Sequence, residues 1–411
     1  MEHYLVVCLI LVWSFCLQRS YSAESTLHYK LSNGEEISCV PIYEQPSLKS
    51  LDHDPYLMIK EATFIPSDQS TEEQTQEIPD ATQIKVAAKQ VFQTEVGSCP
   101  EGMIPILRNQ GSRISQHGVD SINGKVEHKV TSTKNPLISD PYFDLRDHEY
   151  ATTSLSTSGT ARYFGGRGEV NLWNPIVEFR DEFSSARVAV SAGSYDQWNL
   201  NLLVAGMKVD MGRFGDNYTR LFVAWTRDAY HTTGCVNLEC AGFVQTNSGV
   251  VIGGAYGTSV PGGSQYFQYF SIEWHQSSDA WWLQVGQRDV GYWPNSLLTV
   301  LRTGATKVEW GGEIINGKHS GTRHTQTRMG SGEFADARSG GVAKPNWQRA
   351  AWISALQTVD QYNQWVDAPL ASLSIYNTKV KCYNAQKFQG DAEWRTHMYY
   401  GGPGYNRDCL T

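Results

Sequence analysis

Two glutamates four residues apart, Glu309 and Glu313, lie in the segment A-T-K-V-E-W-G-G-E-I-I-N from Ala305 to Asn316, beside Trp310 and the pair Gly311-Gly312. Two carboxylates can divide acid–base work: one, ionised, activates a water while the other, protonated, donates to a carbonyl or a leaving group. Carboxyls in unlike surroundings have their pKa values pushed apart, which supplies both states at one pH. If the segment is a strand, equal parity puts Glu309 and Glu313 on one face. Glycines inside a strand predict a bulge or the close approach of another chain or ligand.

The elements that must position these acids read as strands. From about His148 onward the chain repeats short segments, E-V-N-L-W-N-P-I-V-E-F, A-R-V-A-V-S-A-G, L-N-L-L-V-A-G-M-K-V, R-L-F-V-A-W-T-R and Q-Y-F-Q-Y-F-S-I-E-W. Most of them alternate, and most end at Gly, Asn or Asp, which predicts an all-β region built as an antiparallel β-sandwich of two sheets. Only Trp347 to Val359 is ambiguous between helix and strand. Aromatics make up 12% of the chain, with 13 Trp and 21 Tyr, a count that suits a β-rich core or a binding cleft equally well.

The first half is organised differently. Leu5 to Leu17 is a nearly unbroken apolar run followed by Ser20-Tyr21-Ser22-Ala23, the pattern of a cleavable secretory signal peptide over residues 1–23. Leu27 to Val40 reads as strand, Asn33-Gly34 turn and strand. The chain is polar and acidic from Lys60 to Lys85, ordered again from Ala87 to Leu107, and polar from Arg108 to Ser139. This divides the protein into a leader, a small disulfide-closed unit over 24–145 and a β domain over 146–411, with the junction between Ser139 and Ala151.

Cysteine usage fits an oxidising compartment. Of the 8 Cys, Cys8 and Cys16 lie in the leader, leaving an even set: Cys39, Cys99, Cys235, Cys240, Cys382 and Cys409. The spacing allows many connectivities; the pairs expected are Cys39 with Cys99, Cys235 with Cys240, and Cys382 with Cys409. Asn217-Tyr218-Thr219 is a glycosylation acceptor. The 11 His and the Cys show no metal-site spacing, so neither metal nor cofactor is expected. A formal net charge of −8 gives no support to a nucleic-acid partner. No segment beyond the leader is long and apolar enough for a membrane span, so no membrane partner is expected.

Several blocks, in one order, carry a resemblance. They are T-T-G-C-V-N-L-E-C-A-G-F-V-Q-T-N at Thr232 to Asn247, V-G-Y-W-P at Val290 to Pro294, V-E-W-G-G-E-I at Val308 to Ile314, M-G-S-G at Met329 to Gly332 and Y-Y-G-G-P-G at Tyr399 to Gly404. Through them the region from His148 onward resembles the catalytic domain of the neprosin family of plant secreted glutamic peptidases. Leu27 to about Leu107 is similar to that family's activation peptide. The resemblance implies a zymogen whose β-sandwich carries two glutamates that cleave after proline at acidic pH. It also implies a location outside the cell, in the apoplast or cell wall, and a peptide or protein substrate, proline-rich in the simplest case.

Carried over residue by residue, the second glutamate of V-E-W-G-G-E falls on Glu313. The first belongs to a strand that the family writes as glutamate, alanine, glycine and a large residue, then G-R-x-G-D; here the segment is Val204-Ala205-Gly206-Met207, leading to Gly212-Arg213-Phe214-Gly215-Asp216. The position expected to hold the first acid is Val204, which can neither move a proton nor hold a water. Asp210 shares its strand parity but would stand about 20 Å away on a straight strand. Asp196, Asp228 and Glu273 are the other acids to place. Trp225, Tyr230, Trp293 and Trp310 are the aromatic candidates for a substrate cleft.

The function expected is therefore that of a neprosin-type glutamic endopeptidase homologue, impaired or inactive through Val204. One alternative is a secreted, non-catalytic binder of proline-rich peptides or cell-wall polysaccharide. Another is a β-sandwich glycoside hydrolase using Glu309 and Glu313; against it, Gly311 replaces the expected aspartate, and a straight strand separates the two positions by about 14 Å where retention needs about 5.5 Å. A serine hydrolase is disfavoured because G-x-S-x-G is absent.

Overall fold

The computed structural model of the chain describes residues 26–48, 59, 85–108, 147–317, 321, 323–336 and 345–411. The expected leader lies outside these residues, as do most of the two polar stretches and the first part of the expected junction.

Two sheets form the β-sandwich. The first has seven strands in the order β10 (Cys235–Val236), β9 (Arg220–Thr226), β8 (Asn201–Val209), β7 (Ser184–Ala192), β15 (Lys307–Ile315), β5 (His148–Ser156) and β18 (Ser374–Asn377), all antiparallel. The second runs β11 (Val244–Gln245), β14 (Arg288–Pro294), β13 (Ala280–Val285), β12 (Gln265–His275), β6 (Gly165–Asn171), β16 (Ala351–Val359), β20 (Thr396–Gly401) and β19 (Asn384–Gln389), with β17 (Trp365–Asp367) on β16 and β3 (Lys85–Ala87) on β12. Here β3 alone is parallel to its neighbour. The ambiguous Trp347 to Val359 segment contains β16, so its apolar residues serve a strand.

Alternation decides which side chains meet between the sheets. Val188 and Val190 of β7, Leu203 and Ala205 of β8, Leu221, Val223 and Trp225 of β9, and Val308 and Trp310 of β15 point inward. There they pack with Phe270, Ile272, Trp281, Leu283, Trp293 and Ile353 of the opposing sheet. Burying a large apolar side chain contributes about 1.5–3 kcal/mol, so this layer dominates the stability of the sandwich. The opposite parity of the seven-stranded sheet forms the outer surface on which the candidate site lies.

The N-terminal residues form a three-stranded sheet of β1 (Leu27–Lys30), β2 (Glu36–Pro41) and β4 (Met103–Arg108). The Asn33-Gly34 turn closes the expected hairpin, with Gly34 at φ 87°, a left-handed conformation open to glycine at little cost. Ile37, Phe92 and Met103 pack around Val251 of the sandwich. Polar side chains complete the seam: Gln90 Nε2 donates to the Val251 carbonyl at 2.7 Å, and the Val251 amide donates back to Gln90 Oε1 at 2.8 Å. Glu35 pairs with Arg220 at 2.5 Å, both side chains buried. Three disulfides join Cys39 to Cys99, Cys235 to Cys240 and Cys382 to Cys409.

Candidate active site

The register of the seven-stranded sheet sets three rows across its outer face. Glu313 stands opposite Tyr150 on β5 and Ser185 on β7. In the next row Gly311 faces Arg187, which faces Gly206 of β8. In the third, Glu309 faces Ala189, which faces Val204 and then Ala224 of β9. Val204 and Glu313 are thus two strands and two rows apart, about 16 Å between backbones in a flat sheet. Both line one cleft, together with His148, Tyr150, Phe183, Arg187, Tyr195, Lys208, Phe222 and Tyr230.

Arg187 fills the middle of this face. Flanked by glycines in its own row, its guanidinium reaches along the sheet to both acids: Nη2 lies 2.7 Å from Glu309 Oε1 and Nε lies 2.9 Å from Glu313 Oε2. The two carboxylates therefore approach within about 8 Å through one guanidinium, although β15 runs through both positions in unbroken register. His148 Nδ1 is 2.5 Å from the other Glu313 oxygen. Burial raises the pKa of Glu313, but Arg187, the His148 hydrogen bond and Lys208 outweigh it and hold the carboxyl down at about 2. Glu309 is subject to the same opposition, burial against Arg187 and Lys307, and is also lowered. Burial lowers the Lys208 pKa. It raises those of Tyr150 and Tyr230, which are neutral hydroxyls at the edge of the cleft.

The two glycines have reasons other than a bulge. A Cβ on Gly311, at φ 143°, would stand 2.4 Å from the Ala151 carbonyl oxygen. On Gly312 it would strike Met329 Sδ at 2.5 Å and the Tyr400 ring at 2.8 Å from the core side. The close approach expected at this pair is made by the chain itself. It brings V-E-W-G-G-E, M-G-S-G and Y-Y-G-G-P-G together, and Met329 also bridges to Gly402.

Val204 is 4% exposed and sits in an apolar cluster with Ala189, Phe222, Ala224 and Val236, against which Leu202 packs. None of the acids considered as replacements lines the cleft, where Glu313 is the one carboxylate among the described lining residues. Asp210 does not continue the strand: β8 stops at Val209, and Asp210 caps the short helix Met211–Phe214 by accepting from the Arg213 amide at 3.0 Å. Asp228 accepts from the amides of Thr232 and Thr233 at 3.0 and 3.1 Å and thereby shapes the turn that carries Tyr230. Asp196 is exposed between β7 and β8, and Glu273 lies on the other sheet beside His275 at 3.1 Å.

Of the four aromatic candidates, Tyr230 lines the cleft, with φ at 62°. The other three correct the sequence expectation. Trp225, Trp293 and Trp310 are at most 6% exposed and belong to the core, Trp310 donating to the Arg167 carbonyl at 2.9 Å. Parity is the reason: Trp310 alternates with Glu309 and Gly311, and Trp225 with Ala224. Arg187 and His148 were not singled out from the sequence. The signal for Arg187 was a lone cation in the apolar alternation of S-A-R-V-A-V; for His148 there was none, because its contact with Glu313 spans 165 positions. Asn217 is exposed, while Thr219 of the same acceptor triplet donates to the Trp173 carbonyl at 2.7 Å.

His324 comes near Cys382 and Cys409, but the disulfide occupies both sulfurs, and the imidazole meets Glu149 at 2.9 Å and the Thr325 carbonyl at 2.8 Å. That set does not fit a metal ion. Among the described residues no helix is long and apolar enough to cross a membrane.

Known proteins bear on the chain in two ways. A solved structure of a Bacteroides ovatus GH16 protein of a mixed linkage glucan locus, in complex with a G4G4G3G product, is 8% identical. The match covers 45% of this chain and 79% of that one at a TM-score of 0.24, which carries no argument about activity. The family model Neprosin matches residues 180–403, a span that contains positions 204 and 313 and more than half of the chain. With Glu313, the glycine pair and the Met329 and Tyr400 blocks meeting in one place within that span, the chain belongs to the neprosin family.

Proposed function

We propose that this protein is a secreted neprosin-type peptidase homologue that binds an extended peptide in the Glu313 cleft and hydrolyses it poorly or not at all. One observation carries the reading: the described lining of the cleft holds one carboxylate, and position 204 is a buried valine among apolar neighbours. Two-acid hydrolysis needs one ionised and one protonated carboxyl. Glu313, held ionised by Arg187 and His148, suits the first role. The second has no candidate of its kind, and neutral tyrosines are far weaker acids.

The surroundings of position 204 still suit the missing group. Apolar walls raise a carboxyl pKa and keep it protonated, the complement of the charged environment at Glu313. Val204, Phe222, Ala224 and Val236 give this end of the cleft an apolar lining, which supports a ligand with an apolar residue such as proline. Both Glu309 and Glu313 are drawn toward the ionised form, so neither is suited to act as the acid of a glycosidase pair. The N-terminal unit over 24–145 is read as the pro-region of a zymogen.

The test is cleavage of a proline-containing peptide across acidic pH by the acid-treated full chain and its Glu313→Gln and Val204→Glu variants. Slow or absent cleavage by the parent chain, a gain with Val204→Glu and loss of that gain on adding Glu313→Gln are expected. Robust cleavage by the parent chain that Glu313→Gln leaves untouched overturns the assignment.

A further inference from the structure

Lys85 lies on the outer face of the ten-stranded sheet, on the far side of the sandwich from the Glu313 cleft. Its Nζ sits 4.9 Å from the centre of the Phe267 ring, 4.9 Å from Trp352 and 5.0 Å from Trp394. Beneath the rings, Glu169 Oε2 is 2.6 Å from Nζ, and Ser354 Oγ donates to the same carboxylate oxygen at 2.8 Å. Glu393 approaches to 3.7 Å from the rim. Three aromatic faces around one ammonium, with a carboxylate at the base, select a cation and disfavour a neutral group of the same shape. The Lys85 side chain is 12% exposed, so the cage is filled.

The backbone around Lys85 is recognised as well. Lys85, Val86 and Ala87 pair in parallel with Gln265, Tyr266 and Phe267 of β12, a strand whose other neighbours, β6 and β13, pair along Phe267–Glu273 and Phe270–His275. The Ala88 amide donates to the Phe267 carbonyl at 2.9 Å, and Gln268 Nε2 donates to the Ala88 carbonyl at 2.9 Å. Strand addition with one side chain in a shaped pocket is a recurring mode of peptide recognition: the ladder supplies affinity and the pocket supplies choice.

We propose that this face is a second peptide site, separate from the cleft, that takes an extended strand bearing a lysine, and that residues 85–88 are its internal ligand. The trans partner is the same lysine-bearing segment of a second copy of this chain, admitted when residues 85–88 leave. The proposal stands on the outer face alone and holds whether or not the cleft cleaves.

The experiment uses the full chain carrying Lys85→Met, which weakens the internal ligand, and measures binding of the hexapeptide Q-I-K-V-A-A against Q-I-M-V-A-A by protein-observed NMR. The lysine peptide is expected to bind at least ten-fold more tightly, with shifts confined to β12, Trp352 and Trp394, and Glu169→Gln in the same chain is expected to remove that preference. Equal binding of the two peptides, or binding of neither, overturns the proposal. Hydrogen exchange gives an independent reading: the Val86 to Ala88 amides are expected to exchange at least ten-fold faster in Lys85→Met while those of β15 stay unchanged, and an unchanged rate at Val86 to Ala88 also overturns it.

Discussion

The cleft face of the seven-stranded sheet seats Arg187 against carboxylates and the outer face of the ten-stranded sheet seats Lys85 so, but the two cations come from different places. Arg187 is a residue of a central strand, and its partners Glu309 and Glu313 stand on the adjacent strand. Lys85 comes from an N-terminal strand that pairs with β12 over three residues. An ion pair built into neighbouring central strands can be lost only with the sheet, whereas a cation lent by a short added strand can leave while the sandwich persists. Fixed and lendable charge in one fold predict different responses to substitution.

The largest response is expected where one residue restores a role. Val204→Glu introduces a carboxyl into the apolar cluster that lines the same cleft as the ionised Glu313, and a proton-transfer group of this kind is worth about 10²- to 10⁴-fold in rate. Peptide hydrolysis below neutral pH measures it, and a variant that binds peptide with no gain in cleavage breaks the link between the cleft and its missing acid. Next comes Arg187→Met, which removes the cation that Glu309 and Glu313 share and leaves them Lys307 and His148 as partners. Removing one partner of a buried ion pair costs about 3–5 kcal/mol, to be read from the denaturant midpoint.

The pH dependence of stability follows from the same clamp. Glu313 is lowered from 4.5 to about 2 in the folded chain, so its contribution, on the order of 3 kcal/mol, is complete above the unfolded value and is lost as pH falls from about 4.5 through 2. Glu313→Gln should make that acid limb shallower in a urea titration at several pH values; an unchanged limb would detach Glu313 from the clamp. The smallest effect is reserved for the lent charge: Lys85→Met is expected to cost about 1–2 kcal/mol, with the unfolding of the sandwich otherwise unaltered. A loss as large as that of Arg187→Met would abolish the distinction between the two faces.

Much of this was legible along the chain. Alternation from β7 to β9 gave the sandwich, the Asn33-Gly34 turn gave the hairpin, and the three pairs expected among the many that cysteine spacing allows are the ones that form. Matching Val204-Ala205-Gly206-Met207 to its family block singled out position 204, and the structure lines one cleft with that residue and Glu313. What stayed hidden was set across strands. Parity shows that Trp310 and Glu309 point to opposite sides, but not which side is the interior, so three core tryptophans were expected in the cleft. Arg187 and His148 meet Glu313 only through the order β7-β15-β5, which joins residues 126 and 165 positions apart. Lys85 looked like the end of a polar stretch because its rings arrive from β12, β16 and the turn holding Trp394.

Gly312 has a wider consequence. The space of a single absent methyl group admits Met329 and Tyr400, so three of the blocks that mark the family are fitted to one another as interlocking shapes. Such a signature records how the sandwich closes and is blind to whether a proton can be passed across its surface. The signature therefore marks the fold whatever residue stands at position 204, and membership should be counted separately from chemistry, one position at a time.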